Sequence, residues 1–171
     1  MGQILGTFVG LITAFVITFI ILTFGLSIPE DVIGGTVVND FLSRSDLELK
    51  LTVVGTVLYA SSLTGINLGT FVGFGASGST VLMFLAWGTG GLIAGLLAGD
   101  FVEGIFAAVF AVIVGAFLTW LLVFFVQTTD FMAILGTESI LLLQVVLEGA
   151  LYPGIAAVVG GLLGGGISRD R

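Results

Sequence analysis

Residues 105–126 read IFAAVFAVIVGAFLTWLLVFFV, an apolar run that contains no charged residue. A helix needs about 20 such residues to cross the hydrocarbon core of a bilayer. Similar runs cover residues 4–28 and 80–99, and a fourth covers 140–167, where Gln144 and Glu148 interrupt it. Lipid offers no partner to an unpaired backbone group, and these runs lack the alternation of apolar and polar residues that is typical of a transmembrane barrel. They therefore predict an all-α membrane protein.

The composition of the chain supports the same fold class and excludes several functions. Of its 171 residues, 57% are hydrophobic and 9% are charged, whereas soluble domains are about a quarter charged. The formal net charge is −7, so no basic surface for nucleic acid is expected. Cysteine and histidine are absent, which excludes thiolate nucleophiles and the usual zinc sites. We therefore predict a protein that is not an enzyme, has no metal or cofactor, and has the lipid bilayer as its partner.

The number of spans depends on residues 52–72, an apolar stretch diluted by four polar residues between 61 and 67. The basic residues are Arg44, Lys50, Arg169 and Arg171. If residues 52–72 cross, five spans with the N-terminus outside place all four bases in the cytoplasm. If they do not cross, four spans place the two pairs of bases on opposite sides. The positive-inside rule favours the first arrangement. We predict one domain of about five transmembrane helices in the cell membrane, with the N-terminus outside and the C-terminus cytoplasmic.

The first predicted loop has the pattern of an amphipathic helix. Pro29 and the two acidic residues after it are typical of a first helical turn. Ile33, Val37 and Phe41 then recur at every fourth position and form an apolar stripe. This spacing predicts an interfacial helix over residues 29–43 on the cytoplasmic face.

Small residues recur at every fourth position in each predicted span, as in a glycine zipper. Such small-xxx-small rows let two helix backbones approach closely where lipid provides no hydrophobic drive for association. The residues that we predict to pack in this way are Gly6, Gly10, Gly65, Gly69, Gly91, Gly95, Gly99, Gly115, Gly161 and Gly165. Five helices cannot all bury such rows in one small bundle, so some rows should face outward. This favours self-association or association with other membrane subunits.

Two short motifs resemble known membrane proteins. The sequence GASG at residues 75–78 resembles the nucleophile motif of rhomboid intramembrane proteases. That family pairs its serine with a histidine, and this chain has none, so Ser77 is better explained as a helix cap. The sequence GGLIAGLLAGD at residues 90–100, followed by Glu103 and Gly104, resembles small glycine-rich multi-pass proteins of halophilic archaea with unassigned function. This second resemblance implies no activity.

Glu148 is the strongest candidate for a functional residue, because an ionisable group inside a span is costly and is usually functional. Gln144, Glu148 and Tyr152 are spaced by four residues and so lie roughly on one helix face. Pro153 should kink the helix and free a carbonyl one turn earlier. The alternative is a structural carboxyl group near the outer interface. Two functional hypotheses follow: an oligomer or complex subunit that supports an ion or proton pathway, or a small secondary transporter with Glu148 as its coupling site.

Overall fold

A computed structural model describes residues 2–29, 33–60, 80–126 and 139–169, and gives the backbone alone at 124 and 139–147. These residues are helical and contain no strand, which confirms the all-α prediction. The α-helices are α1 (Gly2–Thr23), α2 (Gly35–Ser43), α3 (Leu47–Leu58), α4 (Thr80–Ala98), α5 (Phe101–Val126) and α6 (Ser139–Arg169), with a 3-10 turn at Gly25–Ser27.

Four of these helices are long and apolar enough to cross a membrane, namely α1, α4, α5 and the Glu148–Arg169 part of α6. They correspond to the predicted spans 4–28, 80–99, 105–126 and 140–167, and they indicate a membrane-embedded, multi-pass protein. The predicted count of five spans is not confirmed. Helix α3 begins at Leu47 and ends at Leu58, and residues 61–72 of the remaining predicted span, 52–72, lie outside the described ranges.

The packing of these four helices is inverted relative to a soluble bundle. The faces that meet inside are rich in glycine and alanine, whereas large apolar side chains point outward. Exposed examples are Phe8 and Ile12 on α1, Phe106, Phe110 and Phe117 on α5, and Leu151, Ile155 and Val159 on α6. Contiguous apolar surface of this kind is rare on soluble monomers, and it is what a surrounding bilayer requires.

Glycine contacts define the direction of each helix. Helix α1 is antiparallel to α4, because Gly2 lies against the carbonyl of Leu97 and Gly10 lies against that of Gly90. Helix α6 is parallel to α4 and antiparallel to α5. Between α4 and α5 the chain turns at Gly99, whose φ of +85° is strained for any other residue. We call the end of the bundle with Gly2, Asp100 and Arg169 the turn end, and the end with Thr23, Thr80 and Val126 the loop end.

The predicted orientation of the termini is not supported by the described helices. Gly2 and Arg169 both lie at the turn end, whereas the prediction places the N-terminus outside and the C-terminus in the cytoplasm. Leu47 lines a surface pocket with Phe125 and Val126, at the same loop end where α4 begins.

The predicted helix over residues 29–43 is shorter than expected, and its apolar face covers protein. Helix α2 begins only at Gly35, after the N-cap Gly34, and residues 30–32 are outside the described ranges. The apolar stripe of Ile33, Val37 and Phe41 is 1% exposed at each position. Phe41 packs edge-on against Phe19 of α1, with ring centroids 5.3 Å apart. Helix α2 therefore closes the loop end of the bundle.

Candidate functional site

The predicted small residues of α1 lie against the backbone of α4. An added Cβ at Gly6 would lie 2.5 Å from the carbonyl oxygen of Ala94, and one at Gly10 would lie 2.7 Å from that of Gly90. Real Cβ atoms do not approach so closely, so neither position admits a side chain without movement of a backbone. Gly90 and Ala94 belong to a second four-residue row on α4, with Ala86 and Ala98, that the sequence analysis overlooked.

The contacts between α4 and α6 are closer still. A Cβ at Gly91 would overlap the backbone of Ala157, and one at Gly95 would overlap the carbonyl of Gly161. A Cβ at Gly165 would lie 2.7 Å from the carbonyl oxygen of Asp100. Helix α5 joins the same interface through Gly104, which the sequence analysis also missed: its added Cβ would lie 2.7 Å from the Gly161 carbonyl oxygen.

The other predicted packing glycines behave differently. Gly115 of α5 faces the Tyr59 hydroxyl, at 2.5 Å from an added Cβ. Gly99 lies after the end of α4, and a Cβ there would meet nothing within 4 Å, so it serves the turn rather than a helix contact. Gly65 and Gly69 lie outside the described residues.

We expected some of the predicted small-residue rows to face outward. The glycines of these rows that the structure describes do not. The rows of α1, α4, α5 and α6 contact neighbouring helices of the same chain. The number of contact faces explains this result. Helix α4 has one small-residue face toward α1 and another toward α6, so a single helix accommodates two partners. The rows therefore give no argument for self-association.

Helix α3 ends in the middle of the bundle. Its 12 residues extend about 18 Å, well short of the roughly 30 Å hydrocarbon core. It starts at the loop end beside Val126, and its C-cap Tyr59 reaches Val112, the midpoint of α5. Tyr59 is 3% exposed and Ala60 is 8% exposed. A helix terminus at this depth requires hydrogen-bond partners from the protein, since lipid has none.

Two aromatic side chains supply those partners, and we call Tyr59 and Trp87 the aromatic clamp. The indole Nε1 of Trp87 donates to the carbonyl oxygen of Leu58 at 3.0 Å. The hydroxyl of Tyr59 donates to the carbonyl oxygen of Val112 at 2.7 Å. The two rings pack edge to face, with centroids 5.6 Å apart. The clamp thus satisfies an orphan carbonyl of α3 and fixes the helix end to α4 and α5.

One buried hydroxyl near this helix end is unsatisfied. Most threonines of the bundle, such as Thr18 and Thr56, donate to a carbonyl of their own helix at 2.9 and 2.8 Å. Thr119 of α5 is 1% exposed, and its Oγ1 has no hydrogen-bond partner among the described residues. Its side chain packs against Gly55 of α3, where an added Cβ would lie 2.5 Å from Cγ2. Such a group costs about 1–3 kcal/mol if it stays unpaired.

Glu148 lies on α6 near the level of this unsatisfied hydroxyl. Gly161 of α6 lies opposite Gly104 of the antiparallel α5 and opposite Gly95 of the parallel α4. Glu148, thirteen residues earlier, is therefore level with Phe117 of α5 and with Leu82, two residues from the start of α4. Glu148 is half-buried, and it is the first residue of the apolar part of α6.

The structure gives a partial account of the other two candidates. Tyr152 is half-buried and packs against the main hydrophobic core, one turn from Glu148 on the same helix. The backbone of Gln144 lies in α6, but its side chain is outside the described part of the chain. Pro153 lies inside α6 and is buried.

The remaining charged groups with described positions lie at the two ends of the bundle. At the loop end, Arg44 donates to Asp40 Oδ1 from Nε at 3.1 Å and from Nη2 at 2.7 Å. At the turn end, the guanidinium of Arg169 lies 5.6 Å from the ring centroid of Phe101. Within the described ranges, no group of three acidic or other metal-binding side chains is placed to hold a metal ion.

The arrangement combines a half-length helix that ends near the middle of the bundle, an aromatic clamp at that end, and a half-buried carboxyl group, Glu148, at the start of the apolar part of α6. Comparison with known proteins adds no family to this description: no protein family, no curated protein and no solved structure matches the chain.

Proposed function

We propose that this chain is a non-enzymatic membrane protein that supports an ion or proton pathway, acting as a homo-oligomer or as a subunit of a membrane complex. The observation that carries the proposal is the end of α3 near the bundle midpoint, in a bundle whose last long helix carries the ionisable Glu148. Backbone that leaves a helix at membrane depth is tolerated only where protein or a water-filled cavity surrounds it. Broken helices of this kind form ion and substrate sites in transporters.

The role that we assign to Glu148 follows from its place on a long apolar helix. A carboxyl group in the apolar region is costly to keep charged, so it tends to exchange a proton or bind a cation. Tyr152, one turn away, and Gln144 are the polar neighbours proposed to complete the site. The close glycine contacts would act as a glycine zipper that holds the surrounding helices rigid.

The need for a partner follows from the filling of the interior. At the level of the clamp, Trp87 is 0% exposed, and Leu11 and Val112 are buried beside it. The axis of a single bundle is therefore closed at this level. A pathway past Glu148 would run along the α6 side of the bundle and would be completed by another subunit, either a second copy or a different membrane protein.

The half-length helix α3 also favours a second candidate, a small secondary transporter with Glu148 as its coupling site. In such proteins, half-helices meet near the bilayer midplane and move during alternating access. The two candidates differ in mechanism. A pathway in a rigid complex passes ions down their gradient without a second solute, whereas a transporter exchanges or couples two species.

A liposome flux measurement tests the proposal. Purified protein is reconstituted with a pH-sensitive dye inside, and proton flux is followed after a potassium diffusion potential is applied. Glu148→Gln keeps the size and hydrogen bonding of the side chain but removes its titration, so flux should fall to the level of protein-free liposomes. Glu103→Gln, at an exposed acidic residue of the turn end, is the matched control and should retain parental flux.

Two results would refute the proposed role of Glu148. In the first, liposomes with the parental protein pass no proton, sodium or potassium ion at any pH, which would remove the pathway altogether. In the second, Glu148→Gln conducts like the parent, which would leave Glu148 a structural residue. Flux that requires a counter-ion on the opposite side would favour the transporter over the simple pathway.

A further inference from the structure

A groove runs along the outer side of the bundle where α4 meets α6, and we call it the α4–α6 groove. Small residues form its floor. Gly88 and Gly160 are in backbone contact there, since an added Cβ at Gly160 would overlap the Gly88 carbonyl, and the buried Ala156 lines the groove with them. Its walls are large, exposed apolar side chains, namely Phe84 and Leu85 on α4 and Ile155, Val159 and Leu163 on α6. The volume of the groove is about 370 Å³.

The groove lies in the middle of two helices that are long enough to cross a membrane. On α4 it extends from Phe84 to Leu92, and on α6 from Ile155 to Leu163, short of both ends of each apolar helix. Such a length of helix is about 12 Å, whereas the hydrocarbon core of a bilayer is about 30 Å thick. The groove is therefore surrounded by hydrocarbon, and an occupant enters it from the interior of the bilayer.

The lining of the groove suits an apolar occupant. Of the ten lining residues, all of which the structure describes, only Thr89 has a polar side chain. Its Oγ1 donates to the carbonyl oxygens of Leu85 and Ala86, at 2.7 and 3.0 Å, so the hydroxyl is satisfied within its own helix. A ligand that fits this lining needs no polar group along the length of the groove.

The size of the groove selects a slender occupant. A helix of another subunit is about 10–12 Å in diameter, so a length of about 12 Å fills roughly 1,000 Å³, more than twice the volume of the groove. A protein interface also takes about 20–30 residues a side, and ten residues line the groove. A hydrocarbon chain is narrow enough to lie on the floor between the walls. It makes more dispersion contacts there than on a convex helix surface.

We propose that the α4–α6 groove binds one acyl chain of a membrane lipid. The floor and both walls hold the chain, so it exchanges more slowly than the lipid around the other faces of the bundle. Glycines build the site, because Gly88 and Gly160 bring the two helices together and leave the floor free of side chains. The proposal does not depend on whether the protein passes ions.

Photocrosslinking in liposomes tests the site with the full chain. The liposomes are made of phosphatidylcholine and contain a small fraction of the same lipid with a diazirine near the methyl end of one acyl chain. After illumination, protease digestion and mass spectrometry locate the adducts. We expect several-fold more adducts on the groove residues than on Ile12 of α1. Ile12 is exposed to lipid at the same depth, because Gly10 lies against Gly90 of the antiparallel α4.

A second probe distinguishes the acyl chain from the headgroup end of the lipid. With the diazirine beside the ester group, which stays near the membrane interface, the groove should receive several-fold fewer adducts. Groove adducts that are as frequent with this probe as with the first would contradict the proposal, since the occupant would then not be the end of an acyl chain.

A variant that fills the groove tests whether its shape is responsible. In Gly88→Leu the added side chain occupies the place of the acyl chain, so the adducts on the groove should fall several-fold. A Cβ at Gly88 would meet nothing within 4 Å, so the fold should be retained, and thermal melting in detergent checks this. Gly154→Leu is the matched control. Its Cβ would also meet nothing within 4 Å, and Gly154 does not line the groove, so its labelling should equal that of the parent.

Three results would overturn the proposal. Equal labelling of the groove and of Ile12 would make the groove an ordinary lipid-facing surface. Weaker labelling of the groove than of Ile12 would mean that protein covers it, either a second copy or another subunit. Unchanged labelling in a folded Gly88→Leu variant would mean that the chain lies elsewhere. The first two results are obtained with the parental protein, so they decide the matter even where a variant does not fold.

Discussion

The interface of α4 with α6 and the buried end of α3 lie in the same bundle but are held by different interactions. At the first, glycines such as Gly95 bring two backbones into contact. At the second, Tyr59 and Trp87 hold an interrupted backbone through side-chain hydrogen bonds. The glycine interface tolerates no added volume. The α3 end depends on a few polar groups, so it is the region where single changes can alter function while the fold is kept.

The largest effect is expected from Gly95→Leu, at the centre of the glycine interface. A side chain there would overlap the backbone of Gly161, and a backbone cannot rotate away as a side chain does. The α4–α6 contact should open, and the variant should lose more than the roughly 1–3 kcal/mol that is typical of overpacking. Size-exclusion chromatography in detergent should show expanded or aggregated species, and the melting temperature should fall.

Gly88→Leu is the matched control on the same helix. A Cβ at Gly88 would meet nothing within 4 Å, and the position lies in a groove between α4 and α6 that opens to lipid. This variant should melt like the parent. Equal stability of the two variants would mean that the close approach at Gly95 does not hold the bundle together.

The next effect separates the two members of the aromatic clamp. Trp87→Phe removes the indole donor of the buried Leu58 carbonyl, and no other described residue at the end of α3 donates to that carbonyl. We expect a loss of about 1–3 kcal/mol of unfolding free energy. Tyr59→Phe should cost less, because the carbonyl of Val112 lies inside α5 and already accepts a helical bond.

Reversible unfolding in detergent with a denaturant measures both variants. Tyr59→Phe removes only a hydroxyl, whereas Trp87→Phe also removes volume from a side chain that is 0% exposed, so its loss includes a cavity contribution as well as the hydrogen bond. A larger loss of unfolding free energy for Tyr59→Phe than for Trp87→Phe would contradict this expectation. It would show that the carbonyl of Leu58 depends less on its side-chain donor than the carbonyl of Val112 does.

The sequence predicted the four long apolar helices well, because spans such as 105–126 have a strong local signal. Gly91 and Gly95 lie where α4 meets α6, and finding a row at every fourth position requires only helical geometry. The second row of α4, with Gly90 and Ala94, has the same four-residue spacing and begins one position earlier in the sequence. A helix that touches two neighbours needs two rows.

Other features could not be predicted from local pattern. Residues 47–60 contain no proline, and Gly55 lies inside α3 rather than at its end. The end of α3 is held by partners 29 and 53 residues distant in sequence. The predicted topology rested on the positive-inside rule, which counts charges in the sequence. The contacts of Gly2 and Gly165 with the α4–α5 region, which place the described ends of the chain at one end of the bundle, cannot be read from such a count.

The smallest effect concerns Thr119, and its sign is informative. Thr119→Val keeps the shape of the side chain and removes a buried hydroxyl whose Oγ1 has no partner. The variant should be as stable as the parent or more stable, by up to about 1–3 kcal/mol, because no unsatisfied group remains to be desolvated. Thr18→Val is the matched control: its hydroxyl donates to the Ala14 carbonyl at 2.9 Å, so its removal should gain less. Denaturant unfolding in detergent compares the two variants. If Thr119→Val is instead the less stable variant, the hydroxyl is paired in the membrane. A bound water or ion between α3 and α5 would then be the candidate, and the region that holds the end of α3 would extend from the clamp toward the level of Glu148.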